Sequence, residues 1–187
     1  MSFNACQKLR VVGTEDGSFQ RNSAKTVLAA VLFQDLWVED IRFTYITVDG
    51  FDATEKFTNM LYGWRFDIVL LASLSFGGFN VIDPHEVFRK FHKPVIVVSR
   101  RKPDNKAVRE ALRRHFYDWK RRWKIFRNAA PVYLLGKEST VYVELAGLDV
   151  VFAREILDKL TLFGRVPEPI RVARIIARGI SSKVNRN

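Results

Sequence analysis

Residues 69–80 read Val-Leu-Leu-Ala-Ser-Leu-Ser-Phe-Gly-Gly-Phe-Asn (VLLASLSFGGFN). With Asp67 and Ile68 before it, the apolar run spans residues 67–71. It fits a strand buried on both faces, the pattern of a parallel strand covered by helices on either side. The run stops at Ala72-Ser73 and gives way to a glycine-rich aromatic turn. In open α/β sheets, ligands and chemistry collect just beyond the carboxyl ends of the strands. This strand ends there in a methyl and a hydroxyl, with no acid, base or strong nucleophile. On its own the stretch is a core strand and a turn.

Working outward, residues 9–13 predict a first strand that stops at the turn-like TEDGSF. Residues 26–33 (TVLAAVLF) and 41–48 (IRFTYITV), rich in β-branched and aromatic residues, predict a second and a third. Asp52 followed by Glu55 is a capping-box signature for a helix over residues 53–62. Asp83-Pro84 opens a short helix, and PVIVVS (94–99) is another buried strand. Val108, Leu112, Phe116, Trp119, Trp123 and Phe126 recur at spacings of three or four, which predicts one long helix over residues 104–126. Residues 132–135 and 141–145 predict a hairpin around GKEST, and residues 149–160 and 167–180 two further helices.

Consecutive early strands imply an antiparallel meander, and the later strand–helix–strand units imply parallel additions to the same sheet. The expected fold class is therefore α/β, a ribonuclease-H-like mixed sheet with helices on both faces, built as one domain over residues 1–187. In that arrangement the first strand is central. The strand ending at Ala72 runs beside it, so Glu15-Asp16 and Ala72 share one rim.

Composition limits the function classes. The 187 residues are 48% apolar and 13% aromatic, as in a soluble globular chain. No apolar run approaches the ~20 residues of a membrane span. The start, MSFNACQKLR, lacks the apolar segment of a signal peptide, and the lone Cys6 can form no internal disulfide. A cytoplasmic location is expected. Lys and Arg number 31 against 20 acids, a net charge of +11. Between Arg100 and Arg127 twelve basic residues oppose only Asp104, Glu110 and Asp118, a net of +9. Such a field favours polyanions, nucleic acid above all. The plainer reading is a solvated helix face, with the tryptophans of the apolar stripe in the core. His85, His92 and His115 are scattered and read as structural or surface residues. No phosphate loop, nucleophile elbow or dinucleotide fingerprint is present.

Acids gather where strands end: Glu15 and Asp16 after the first, Asp49 after the third, and Asp52 just beyond. Carboxylates meeting at one sheet edge can hold Mg²⁺ or Mn²⁺, which prefer oxygen ligands and can activate water against a phosphodiester. The same residues also read as ordinary turns and a helix cap.

RVVGTEDGSF, TVDGFDATEK, LLASLSFGGFNVID, KPVIVVSRRKPD, ELAGLD and PEPIRVARIIARGI together resemble an archaeal family related to endonuclease V, some of whose members are described as deoxyuridine endonucleases. The resemblance runs from Arg10 to about Ile180. It implies a ribonuclease-H-like fold and metal-dependent endonuclease chemistry on damaged or deaminated DNA. Glu15 and Asp16 match an acidic pair where relatives show two aspartates, and Asp49 and Asp52 match the acids of the VDGxDATEK motif. Where relatives read leucine-aspartate-glycine, this chain reads Leu71-Ala72-Ser73. Endonuclease V likewise places a metal-binding aspartate at the end of the corresponding strand. Its tyrosine-bearing wedge motif is not found here.

The catalytic candidates are thus Glu15, Asp16, Asp49 and Asp52, with Glu15, Asp16 and Asp49 holding Mg²⁺ or Mn²⁺. Arg100, Arg101 and Lys102 would grip a DNA backbone, and Arg113, Arg114, Arg121 and Arg122 would extend that track. Ala72, standing where the resemblance implies a metal-binding aspartate, is expected to weaken or abolish that cleavage unless Asp16, Asp49 or Asp52 compensates. The alternative is a non-catalytic nucleic-acid-binding protein that keeps the nuclease fold. A third reading is a small-molecule phosphotransfer or hydrolase role in which the basic segment only steers an anion.

Overall fold

A computed structural model describes residues 8–20, 22–135 and 140–184. Cys6 and the turn residues 136–139 lie outside the described residues.

Three strands, β1 (Arg10–Asp16), β2 (Lys25–Gln34) and β3 (Trp37–Thr47), form the expected antiparallel meander. After α1 (Ala53–Leu61), the apolar β4 (Ile68–Leu71) pairs parallel with β1, and β7 (Val95–Ser99) pairs parallel with β4. Between them lie a small hairpin, β5 (Ser75–Phe76) and β6 (Asn80–Val81), and α2 (Pro84–Phe91). After β7 come α3 (Asn105–His115) and α4 (Trp119–Ala129), then β8 (Tyr133–Leu135), β9 (Val141–Ala146), α5 (Val150–Leu160) and α6 (Glu168–Val184). The seven-stranded sheet runs β3-β2-β1-β4-β7-β9-β8, with β9 antiparallel to β7.

Alternation along the strands assigns each side chain to one of two layers. Val12, Leu28, Val69, Leu71, Val95 and Val97 pack with α1, α2, α3 and α4. Val11, Ile68, Leu70, Ile96 and Val98 pack with α5 and the start of α6. The rest of α6 covers Val27, Ala29, Val31 and Phe33. Helices therefore lie on both faces, as the unbroken apolar runs require.

Three local readings need correction. β1 does not stop at Gly13: its pairing with β2 continues to Asp16 opposite Leu28, which puts Glu15 and Asp16 inside the strand. Gly13 is there for close packing. A Cβ at that position would lie 2.2 Å from the Pro169 carbonyl carbon, so α6 could not approach the strand. The long helix is two helices, because Phe116 is extended (φ −130°, ψ 127°) and turns its ring edge-on to Phe79 at 5.6 Å. The apolar stripe survives the break, and Trp119 and Trp123 pack against the core as expected. The Asp52–Glu55 capping box does not form, since the Asp52 side chain makes no cap hydrogen bond. Asn80, 27 residues away, supplies the acceptor: its Oδ1 takes the Ala53 amide at 2.9 Å.

Candidate active-site cleft

The tips of β1 and β4 lie side by side, with Thr14 level with Leu71 and the Ala72 amide donating to the Thr14 carbonyl at 3.2 Å. A cleft of about 650 Å³ opens at this rim. Its walls carry one carboxylate, Glu15, and four guanidiniums, those of Arg100, Arg101, Arg165 and Arg174, with Ala72, Ser73 and Ser99 between them.

Glu15 is already partnered. Arg174, two turns into α6, donates from Nε (3.0 Å) and Nη2 (2.6 Å) to Glu15 Oε2. Glu15 is buried, and a buried charge persists only when it is paired and hydrogen-bonded.

The three other acids are organised around the β5–β6 hairpin. Asp16 Oδ2 accepts the Gly77 amide at 2.6 Å. Burial pushes its carboxyl up to about 7; the Gly77 amide opposes that rise and the neighbouring Glu15 adds to it. Asp49, in the left-handed region at φ 56°, donates its amide to the Gly77 carbonyl and accepts the Phe79 amide on Oδ1 at 2.8 Å. Gly78 between them must be glycine: it has φ +84°, and a Cβ would sit 2.2 Å from Asp49 Oδ1. Asp52 accepts from Thr47 N (3.1 Å), Thr47 Oγ1 (3.0 Å) and Asn80 Nδ2 (2.6 Å). Burial alone would raise its carboxyl, but these donors hold it below the ordinary range. Of the four candidate acids, only Glu15 lines the cleft.

These residues do not fit Mg²⁺ or Mn²⁺ as they stand. Among the described residues, no group of three or more His, Cys, Asp or Glu side chains could hold a metal ion. Ala72 offers no oxygen from its side chain, Glu15 is bound to a cation of the chain itself, and Asp16 and Asp49 hold backbone amides. One carboxylate against four guanidiniums gives the cleft an excess of positive charge, which attracts anions.

The predicted basic track divides. Arg100 and Arg101 line the cleft, and Lys102, Arg113, Arg114 and Arg121 are exposed. Arg121 lies over the Phe51 ring at 4.1 Å. Arg122 is a correction: at 4% exposure it faces inward and cannot reach a DNA backbone. Its Nη1 donates to the Gly50 and Phe79 carbonyls at 2.7 Å each, its Nε pairs with Asp118 at 2.9 Å, and it stacks on Phe116 at 4.3 Å. Arg165 and Arg174 were missed because they lie far outside the dense basic run. The available signal was the recurrence of arginine at 171, 174 and 178, three and four residues apart on one helix.

An antiparallel meander extended by parallel strands, covered on both faces and open at the β1–β4 rim, defines a ribonuclease-H-like fold. Human endonuclease V shares the fold (TM-score 0.62, 16% identity, 95% of this chain and 86% of that one). So does Ciona intestinalis endonuclease V, solved with a 23-mer DNA containing an inosine followed by a ribo-adenosine (TM-score 0.66, 13% identity, 97% and 89%). A protein of unknown function from Archaeoglobus fulgidus is nearer in sequence, at 30% identity with a TM-score of 0.84 over 92% of this chain and 98% of that one. The model of the family described as endonuclease dU matches residues 7–181, and the chain belongs to that family. The UPF0215 protein of Thermococcus gammatolerans is 37% identical over 183 residues, 92% of each chain. That of Methanothermobacter thermautotrophicus is 35% identical over 180 residues, 93% of this chain and 88% of its own. No helix among the described residues is long and apolar enough to cross a membrane.

Proposed function

We propose that this protein binds DNA at the Glu15–Ala72 cleft, and that the metal-dependent cleavage of damaged or deaminated DNA implied by its family is disabled in it. The observation that carries this reading is the pairing of Glu15 with Arg174 beside Ala72. The cleft keeps the place of a nuclease centre and lacks the carboxylates to hold a cation there. Four guanidiniums suit phosphate, which they recognise through planar, charge-assisted hydrogen bonds. The net charge of +11 and the inosine-containing DNA bound by Ciona intestinalis endonuclease V support a nucleic-acid partner.

A second reading is a working Mg²⁺- or Mn²⁺-dependent endonuclease with Glu15, Asp16 and Asp49 as ligands. It is favoured by family membership and by the adjacency of Glu15 and Asp16 at the end of β1. Incubating the chain with uracil- and hypoxanthine-containing duplexes in Mn²⁺ separates the two. Binding is expected, with nicking no higher than that of a Glu15→Ala/Asp16→Ala control. Nicking clearly above that control overturns the disabled reading and establishes the second.

A further inference from the structure

We infer that Arg174 takes the place of a metal ion in this cleft: anchored on Glu15, its guanidinium holds a phosphate of the bound strand with no divalent cation. The inference rests on the reading that the cleft faces nucleic acid, and it names the group that binds the strand and the condition under which it binds.

In a metal-dependent nuclease of this kind, a cation neutralises the rim carboxylates and presents positive charge to a phosphate. Here the same sequence of charges exists within the chain. Glu15 provides the anion, Arg174 the cation on it, and the cleft the space beyond. A guanidinium has five N–H groups in a planar fork. The two bonds to Glu15 Oε2 use only part of that fork, and among the described residues no other protein acceptor engages the remainder. Glu15 also fixes the orientation of the fork, so less side-chain entropy is lost when an anion binds.

The rest of the cleft fits a phosphate as well. Leu71 is level with Val97 on β7, so two residues further on Ser73 and Ser99 stand at neighbouring strand tips. Both line the cleft with hydroxyls able to donate, and Ser73 Oγ is steadied by accepting the Ser75 amide at 3.1 Å. Arg100 and Arg101 follow Ser99 directly, and Arg165 adds a fourth guanidinium. The methyl of Ala72 leaves the floor of this cradle without a negative charge, whereas an aspartate would repel the phosphate.

The test is the affinity of the full chain for a labelled DNA duplex, read by fluorescence anisotropy in EDTA and in Mg²⁺, with each variant's fold checked by thermal melting. Wild-type affinity is expected to be at least as high in EDTA as in Mg²⁺, because Mg²⁺ only competes for phosphates that side chains alone contact. Glu15→Gln is the sharpest variant, because it keeps the shape and removes the charge that competes for Arg174. It is expected to tighten binding several-fold in both buffers, whereas loss of a metal ligand would weaken binding in Mg²⁺. Arg174→Ala is expected to weaken binding at least tenfold in EDTA and to lower the salt slope by about one. If Arg174→Ala fails to fold, Glu15→Gln carries the test alone. Binding that needs Mg²⁺, or that Glu15→Gln weakens, overturns the inference while leaving the DNA-binding reading intact. No binding in either buffer overturns both.

Discussion

The amide of Ala72 donates to the carbonyl of Thr14 at 3.2 Å, so the strand that lacks an acid at its tip lies against the strand that carries Glu15. This single bond fixes the identity of the rim. It sets Ala72 on the same rim as Glu15, whose carboxylate Arg174 holds.

Restoring the carboxylate alone should therefore be insufficient. Ala72→Asp is expected to leave nicking of uracil-containing DNA in Mn²⁺ at background, because Arg174 still occupies Glu15 and gains a second acid to pair with. Ala72→Asp combined with Arg174→Ala is expected to raise nicking at least roughly tenfold by freeing two carboxylates for a cation. Robust nicking by Ala72→Asp alone would show that Arg174 does not block the site.

Arg122 belongs to stability. Arg122→Met leaves the Gly50 and Phe79 carbonyls without donors and Asp118 without its cation. Breaking one side of a buried pair costs about 3–5 kcal/mol. Urea unfolding should report a loss of that size, and Arg121→Met, at an exposed position, should be nearly neutral.

Asn80 ties three elements together. It accepts from Ala53 at the start of α1, and donates to Asp52 and to the Thr47 carbonyl at the end of β3. Asn80→Ala should cost about 2–3 kcal/mol in urea unfolding, for a lost cap and unmet buried partners. Asn80→Asp should cost more, since it sets a second carboxylate against Asp52.

Glu144 gives the fold a pH dependence that runs opposite to ordinary acid denaturation. It is buried on β9 opposite Val97, and burial pushes its carboxyl up to about 7 from an ordinary 4.5. The folded state thus prefers the protonated acid. Its contribution to stability is complete below pH 4.5 and is lost as pH rises through 7, a span worth about 3 kcal/mol. Asp16 acts in the same direction. Glu144→Gln should match the wild type near pH 4 and be the more stable of the two at pH 8, as read by unfolding at each pH. Equal stability at both pH values would show that Glu144 ionises freely.

The architecture was legible in the sequence because apolar runs and their lengths report burial directly. The LLAS strand had to be covered on both faces, and its neighbour followed from connection rules. What the sequence hid was long-range pairing. Glu15 and Arg174 stand 159 positions apart, and nothing in the neighbourhood of either announces the other. Arg122 sat in a basic run whose other members are largely exposed, and its contacts with Gly50, Phe79, Phe116 and Asp118 turn it inward. The helix break at Phe116 preserved the apolar spacing, so periodicity could not reveal it. Asp52 carried the capping signature, yet Asn80 makes the cap, because the hairpin brings a better-placed acceptor to the Ala53 amide.

The Glu15–Ala72 cleft is proposed to receive an anion and to hold no divalent cation. Titration of the full chain with Mn²⁺, followed by calorimetry in low salt, tests this proposal most directly. No saturable site tighter than millimolar is predicted, and Glu15→Ala should leave the titration unchanged. A stoichiometric micromolar Mn²⁺ site that disappears in Glu15→Ala would show that the cleft holds a cation.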